Sequence, residues 1–267
     1  MHGPQPLVAL LAAGLALAAA AAAAEMPPDP PAVSKECGEA RIGDKPLPNS
    51  AAALQKRKQV KILAIGSSST AVLGTTGRSG RPPLLESILE RTIKGLDVEI
   101  INRGFSGELA EAASERIKIE VALNQPDIVL WQVGTNDALA HVPVDSFNLS
   151  VASTVKWLQD HNIDVILVGL HYNKQAGKDP HYQAIRESLR RIATEQNVLR
   201  IGRYEAMEVL ARTSAGSGRP EVEDFGLSEA GFNCMAQYIA RTITVGLFAK
   251  PPKQTPTPPA PPAPDAK

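Results

Sequence analysis

Aromatic side chains are scarce, 4% of 267 residues, which leaves too few for a base-stacking or carbohydrate-stacking platform of any size. Charge of neither sign is in excess, since 28 Lys and Arg face 28 Asp and Glu. No global field therefore points to nucleic acid or to an anionic membrane. Histidines number 5 and cysteines 2, and they show no ligand spacing, so no metal site is expected. No Gly-Lys-Ser/Thr comes after a glycine-rich turn, which removes a phosphate loop. No internal repeat is present. What remains is a protein for a small molecule or a polymer end.

One long apolar run exists, Leu7 to Ala24, closing on Ala22-Ala23-Ala24 before Glu25 and a Pro-rich stretch. An apolar stretch ended by small residues is the pattern of a secretory leader. Met1 to Pro6 lacks Lys and Arg, and the run approaches the ~18–20 residues of a membrane anchor, the competing reading. Alanine is a weak membrane former, so cleavage is expected, with a mature chain that is periplasmic or secreted and has no stable membrane span. In such an oxidising compartment Cys37 and Cys234 invite a bridge between the N-terminal extension and the last helix; two separate buried thiols are the alternative. The other end, Pro251 to Lys267, is too Pro-rich for helix or sheet. The chain thus divides into a leader (1–24), an extension (25–58), one domain (59–250) and a Pro-rich disordered tail (251–267).

Within the domain, apolar runs alternate with helical spacing. Strands are expected at Val60–Ile65, Val98–Ile101, Asp127–Val133, Val165–Leu170 and Val198–Ile201. Helices are expected at Leu84–Ile93, Glu108–Leu123 (anchored by Ile117, Val121 and Leu123), Phe147–His161, Tyr182–Gln196 and Glu229–Leu247. Such alternation implies right-handed βαβ units: an α/β fold, three-layer α/β/α, with a five-stranded parallel sheet. A flavodoxin-like order, 2-1-3-4-5, makes the carboxyl ends of strands 1, 2 and 3 converge.

Those ends read Gly66-Ser67-Ser68-Ser69, Asn102-Arg103-Gly104-Phe105-Ser106-Gly107 and Gly134-Thr135-Asn136-Asp137. Each is a glycine-containing turn opening towards a helix, where main-chain N–H groups can meet a developing anion. Taken together, in this order, they resemble blocks I, II and III of the SGNH (GDSL-like) hydrolase superfamily across essentially the whole folded region. The resemblance implies Ser68 as nucleophile, with Ser67 where the family has an acidic residue. It implies the Gly107 N–H and the Asn136 amide as oxyanion donors, and it implies no cofactor. The expected partner is an ester, of a small molecule or a glycan.

The family's fourth signature, Asp-x-x-His ahead of the last helix, is incomplete here. Leu227 to Phe232 resemble the family sequence on the carboxyl side of the histidine, but Gly226 stands in its place and Glu223 in that of the acid. A one-residue deletion with Asp224 as the acid is the other alignment. Substitute bases are His171, after strand 4, His141, after the third turn, and Glu223 or Asp224 acting directly. Two functions are compatible with this pattern. One is a serine ester hydrolase or acyltransferase slowed by the missing imidazole. The other is a binding or scaffold protein that keeps the cleft without turnover.

Overall fold

The computed structural model describes residues 27–38, 43–67, 84–214 and 229–250. Among them are five strands, β1 (Gln59–Gly66), β2 (Asp97–Gly104), β3 (Ile128–Gln132), β4 (Asp164–Val168) and β5 (Leu199–Ile201). All neighbours pair in parallel, in the order β2-β1-β3-β4-β5, as the alternation of strand and helix predicts. The described helices are α1 (Pro48–Arg57), α2 (Leu84–Thr92), α3 (Ala110–Asn124), α4 (Thr135–Leu139), α5 (Val144–Asp160), α6 (Pro180–Glu195), α7 (Arg203–Ser214) and α8 (Glu229–Phe248).

Alternation along each strand builds two cores. On β1, Ile62 and Ala64 face a cluster with Leu85, Leu89, Tyr238 and Ile243 from α2 and α8. Leu63 and Ile65 face the opposite cluster, with Ile117, Phe147, Tyr182 and Ile185 from α3, α5 and α6. The central strands are apolar throughout because helices cover both their faces. Leu123, an expected anchor, is 74% exposed. It sits about 200° round the helix from Val121, so no rotation of α3 buries both.

The amino edge of the sheet is held by a buried carboxylate. Leu47 occupies the N-cap position of α1 and has no side chain able to cap. Asp164, at the start of β4, caps the helix from outside it. It accepts hydrogen bonds from the Ser50 N–H (2.8 Å), the Ser50 hydroxyl (2.6 Å) and the Asn49 amide (3.0 Å). Removing it strands the Ser50 N–H, the Asn49 amide and a helix start, while the Ser50 hydroxyl keeps the Asp127 carbonyl at 3.3 Å. Asp164→Ala is therefore expected to lower unfolding stability by about 2–3 kcal/mol in urea titration; a loss under about 0.5 kcal/mol would show that water replaces the cap.

Cys37 and Cys234 form a disulfide, with Cα atoms 5.3 Å apart. Around it residues 31–38 are strapped to α8. Ser34 N–H donates to Gln237 (2.7 Å), Arg241 to the Pro31 carbonyl (3.1 Å), and the Tyr238 hydroxyl to the Cys37 carbonyl. No described helix is long and apolar enough to cross a membrane.

Candidate active site

Parallel register sets the site. Gly66 pairs with Gly104 and Ile65 with Trp131, so β1, β2 and β3 end at one level and their turns lie side by side. Hydrogen bonds then join each turn to the next. The Phe105 N–H donates to the Gly66 carbonyl (2.7 Å), tying the second turn to the first. The Gln132 amide donates to the Ser67 hydroxyl (2.8 Å), tying β3 to the first turn. In this chain Ser67 thus makes a neutral contact at the position where the superfamily has an acid.

Two glycines in these turns are required by the backbone. Gly107 has φ +77° and Gly134 φ +102°, left-handed values that cost most residues with a side chain. At Gly134 an added Cβ would also lie 2.8 Å from Leu170. The left-handed bend there starts α4 immediately after β3, and puts Asn136 in its first turn.

Asn136 reaches back to the second turn. Its amide donates to the Glu108 carbonyl at 2.8 Å, one residue from Gly107. Asp137, only 1% exposed, accepts the Ala110 N–H at 2.8 Å. Burial pushes its carboxyl above the ordinary range, against the pull of the N–H groups of Ala110, Gly134 and Asp137 itself. Glu108 is held in turn by a bidentate pair with Arg116, 2.6 Å at Nε. Two of the expected residues, Gly107 and Asn136, are therefore neighbours in space. An amide that spends one hydrogen on Glu108 has a second for an incoming oxygen. Ser68, Glu223, Asp224 and Gly226 lie outside the described residues.

The histidines separate clearly. The His171 N–H donates to the Thr135 hydroxyl (2.9 Å), and its carbonyl accepts from the Tyr182 hydroxyl. That fixes His171 beside the third turn, at the same edge of the sheet. Tyr182 is held neutral, its pKa pushed up to about 12 by burial. His141 turns the other way. Its ring stacks on His181 at 4.9 Å and its Nε2 is 3.4 Å from Asp179, at the start of α6. His161 donates from Nδ1 to the Trp157 carbonyl (2.7 Å), a local helix-end contact. Sequence reasoning named the third turn but gave Thr135 and Asp137 no task, because nothing in a turn motif says which side chains point inward.

The profile of the non-GDSL lipase-like family matches residues 36–248. An arylesterase of Vibrio mimicus is 26% identical over 119 residues, 44% of this chain and 58% of that protein. The esterase TesA of Pseudomonas aeruginosa is 26% identical over 121 residues, 45% of this chain and 58% of that protein. The chain thus spans under two thirds of the length of these curated relatives. Among solved structures, a lipase/acylhydrolase from Enterococcus faecalis superposes with TM-score 0.54 at 24% identity, covering 72% of this chain and 98% of that one. The acetylxylan esterase Axe2 of Geobacillus stearothermophilus gives 0.54 at 21%, covering 69% and 94%. At these identities the structures speak for the fold alone.

Proposed function

The chain belongs to the non-GDSL lipase-like family, within the SGNH/GDSL-like hydrolases, and on that premise we propose that it is a serine ester hydrolase or acyltransferase with Ser68 as nucleophile. One observation carries this reading: the Asn136 amide is bonded to Glu108, so the two oxyanion donors of the family pattern, Gly107 and Asn136, stand together although they come from different strands.

In this chemistry the Ser68 hydroxyl oxygen attacks the ester carbonyl carbon, and the carbonyl π pair moves onto oxygen. That oxyanion is met by the N–H groups of Ser68 and Gly107 and by the second amide hydrogen of Asn136. Collapse expels the alcohol and leaves an acyl-serine, which water or another alcohol cleaves. The proton of Ser68 needs an acceptor. With Gly226 in the histidine position, the base we propose is His171, whose main chain is bonded beside the third turn, and turnover is expected to be slow. Phe105, two residues before Gly107, and Leu139, three after Asn136, are 64% and 61% exposed and offer apolar surface for an acyl group. The substrate class is accordingly an acyl or acetyl ester, with cell-envelope glycan esters included on the precedent of an acetylxylan esterase sharing the fold. We place the mature protein in the periplasm or medium, after loss of residues 1–24, with 59–250 as the catalytic domain and 251–267 as a tail. The Cys37–Cys234 bridge suits that compartment.

Gly226 itself favours a second reading, a binding protein built on the same cleft. Labelling with a serine-reactive fluorophosphonate, combined with peptide mapping, separates the two. The expected result is a single adduct on the peptide containing Ser68. An unlabelled protein that also leaves a panel of short acyl esters intact is the binding protein instead.

A further inference from the structure

We infer that Asp137 is the positioning residue of the oxyanion pair: its buried carboxylate fixes the first residue of α3 and so holds Gly107 against Asn136. The inference rests on reading Gly107 and Asn136 as oxyanion donors.

A carboxylate buried as Asp137 is must be well hydrogen-bonded to offset its lost hydration. Here the compensation comes from main-chain N–H groups. One of them is Ala110 at 2.8 Å, the first residue of α3, whose N-cap position is held by Leu109 with no capping side chain. An orphan N–H at that helix start has no local acceptor, and β3's turn supplies one across the sheet edge. The start of α3 is therefore set by the residue adjacent to Asn136.

Two bonds now straddle Leu109: Asn136 amide to Glu108 carbonyl on one side, Ala110 N–H to Asp137 on the other. A two-point clamp fixes both distance and tilt of the loop that carries Gly107. With Asp137 gone, the Asn136–Glu108 bond and the Arg116–Glu108 pair both act on the single residue Glu108, about which the loop can turn. Gly107, with φ +77° and no side chain to anchor it, cannot restore the orientation by itself. A misaimed donor is what an oxyanion hole tolerates least, since its value lies in being aligned before the charge develops.

The fold contains its own control. Asp164 is likewise a buried carboxylate that caps a helix start through main-chain N–H, but at the opposite edge of the sheet. Asp137→Ala and Asp164→Ala should both lower Tm. Only Asp137→Ala should lower the kcat of Ser68-dependent ester cleavage, by about tenfold with KM within about twofold. Asp137→Asn, which keeps a carbonyl oxygen for the Ala110 N–H, should recover about a third of parent kcat. Hydrogen exchange over residues 104–110 reads the same geometry without turnover, and should quicken in Asp137→Ala but not in Asp164→Ala. If Asp137→Ala does not fold, Asp137→Asn carries the test, with a smaller fall in kcat and faster exchange over 104–110 expected. Equal kcat losses in the two alanine variants, or parental exchange over 104–110 in the variant tested, overturn the inference. Should Ser68→Ala keep the parent's turnover, the nucleophile assignment fails, and Asp137 is then judged on hydrogen exchange alone.

Discussion

Gly226→His raises Ser68-dependent cleavage of an activated ester at least tenfold, about 1.4 kcal/mol of barrier. The expectation comes from what the site has and what it lacks. Gly107 and Asn136 are together, and the turns that hold them are cross-bonded to β1 and to the loop after β4. What the sequence does not supply at its family position is an imidazole. Loss of the histidine from a serine-protease triad costs ~10⁶ in kcat, about as much as losing the whole triad, while ~10³–10⁴ over water survives from the oxyanion hole and binding. An added base thus has a wide range to work in. Glu223 or Asp224, a few residues earlier in the chain, is near enough in sequence to orient the new ring. Measurement is by initial rates on p-nitrophenyl acetate and butyrate. Ser68→Ala in the same background must abolish the gain. His171→Ala in the parent is the second control: if it removes most of a substantial parent activity, His171 is already an effective base and an imidazole at position 226 is not what limits turnover. A Gly226→His protein that is folded and no faster than its parent would refute the assembled-site picture.

The second large effect is on stability. A bridge between residues separated by 197 positions removes more unfolded-chain entropy than a short loop would. The chain-entropy account gives about 5 kcal/mol, before any strain. Replacing both Cys37 and Cys234 by Ala also loosens the strap of residues 31–38 on α8, since the hydrogen bonds from Ser34, Tyr238 and Arg241 then act alone. For a domain of this size the loss corresponds to roughly 10–20 °C in Tm. Calorimetry of the double variant, against the parent with and without reductant, checks it. A fall below about 1 kcal/mol in the double variant would show that the strap holds without its covalent link.

The fold was legible because its strands are short apolar runs separated by helical spacing. Ile128 to Trp131 is buried on every residue, and a run with no polar alternation belongs in the middle of a covered sheet. Three helices were not legible. α4, Thr135–Leu139, is too short to show any periodicity. α1 carries Ser50, Ala53 and Leu54 as its buried residues, too small an apolar face to register as periodicity; its start is determined by Asp164, 114 positions away. α7 begins after a single residue, Gly202, beyond β5, leaving no loop to mark its beginning. In the site, Gly107 and Asn136 could be named because glycine-containing turns at converging strand ends are local signals. Thr135 and Asp137 could not. Their partners, His171 and Ala110, are 36 and 27 positions distant, and such pairings exist only once the sheet has brought the turns together.

The bridge also fixes an order of events. Cys37 is synthesised 197 positions ahead of its partner, which at about 5–20 residues per second is roughly 10–40 s. Throughout that interval Cys37 is a lone thiol on an emerging chain, open to adducts and to foreign disulfides. Its proper partner sits in α8, the last helix of the domain, so the sheet can be complete before the link closes. Oxidation is then a late fastening rather than a guide to folding. A thiol trap added during oxidative refolding of the reduced protein should capture Cys37 in chains that have otherwise reached their native strand order.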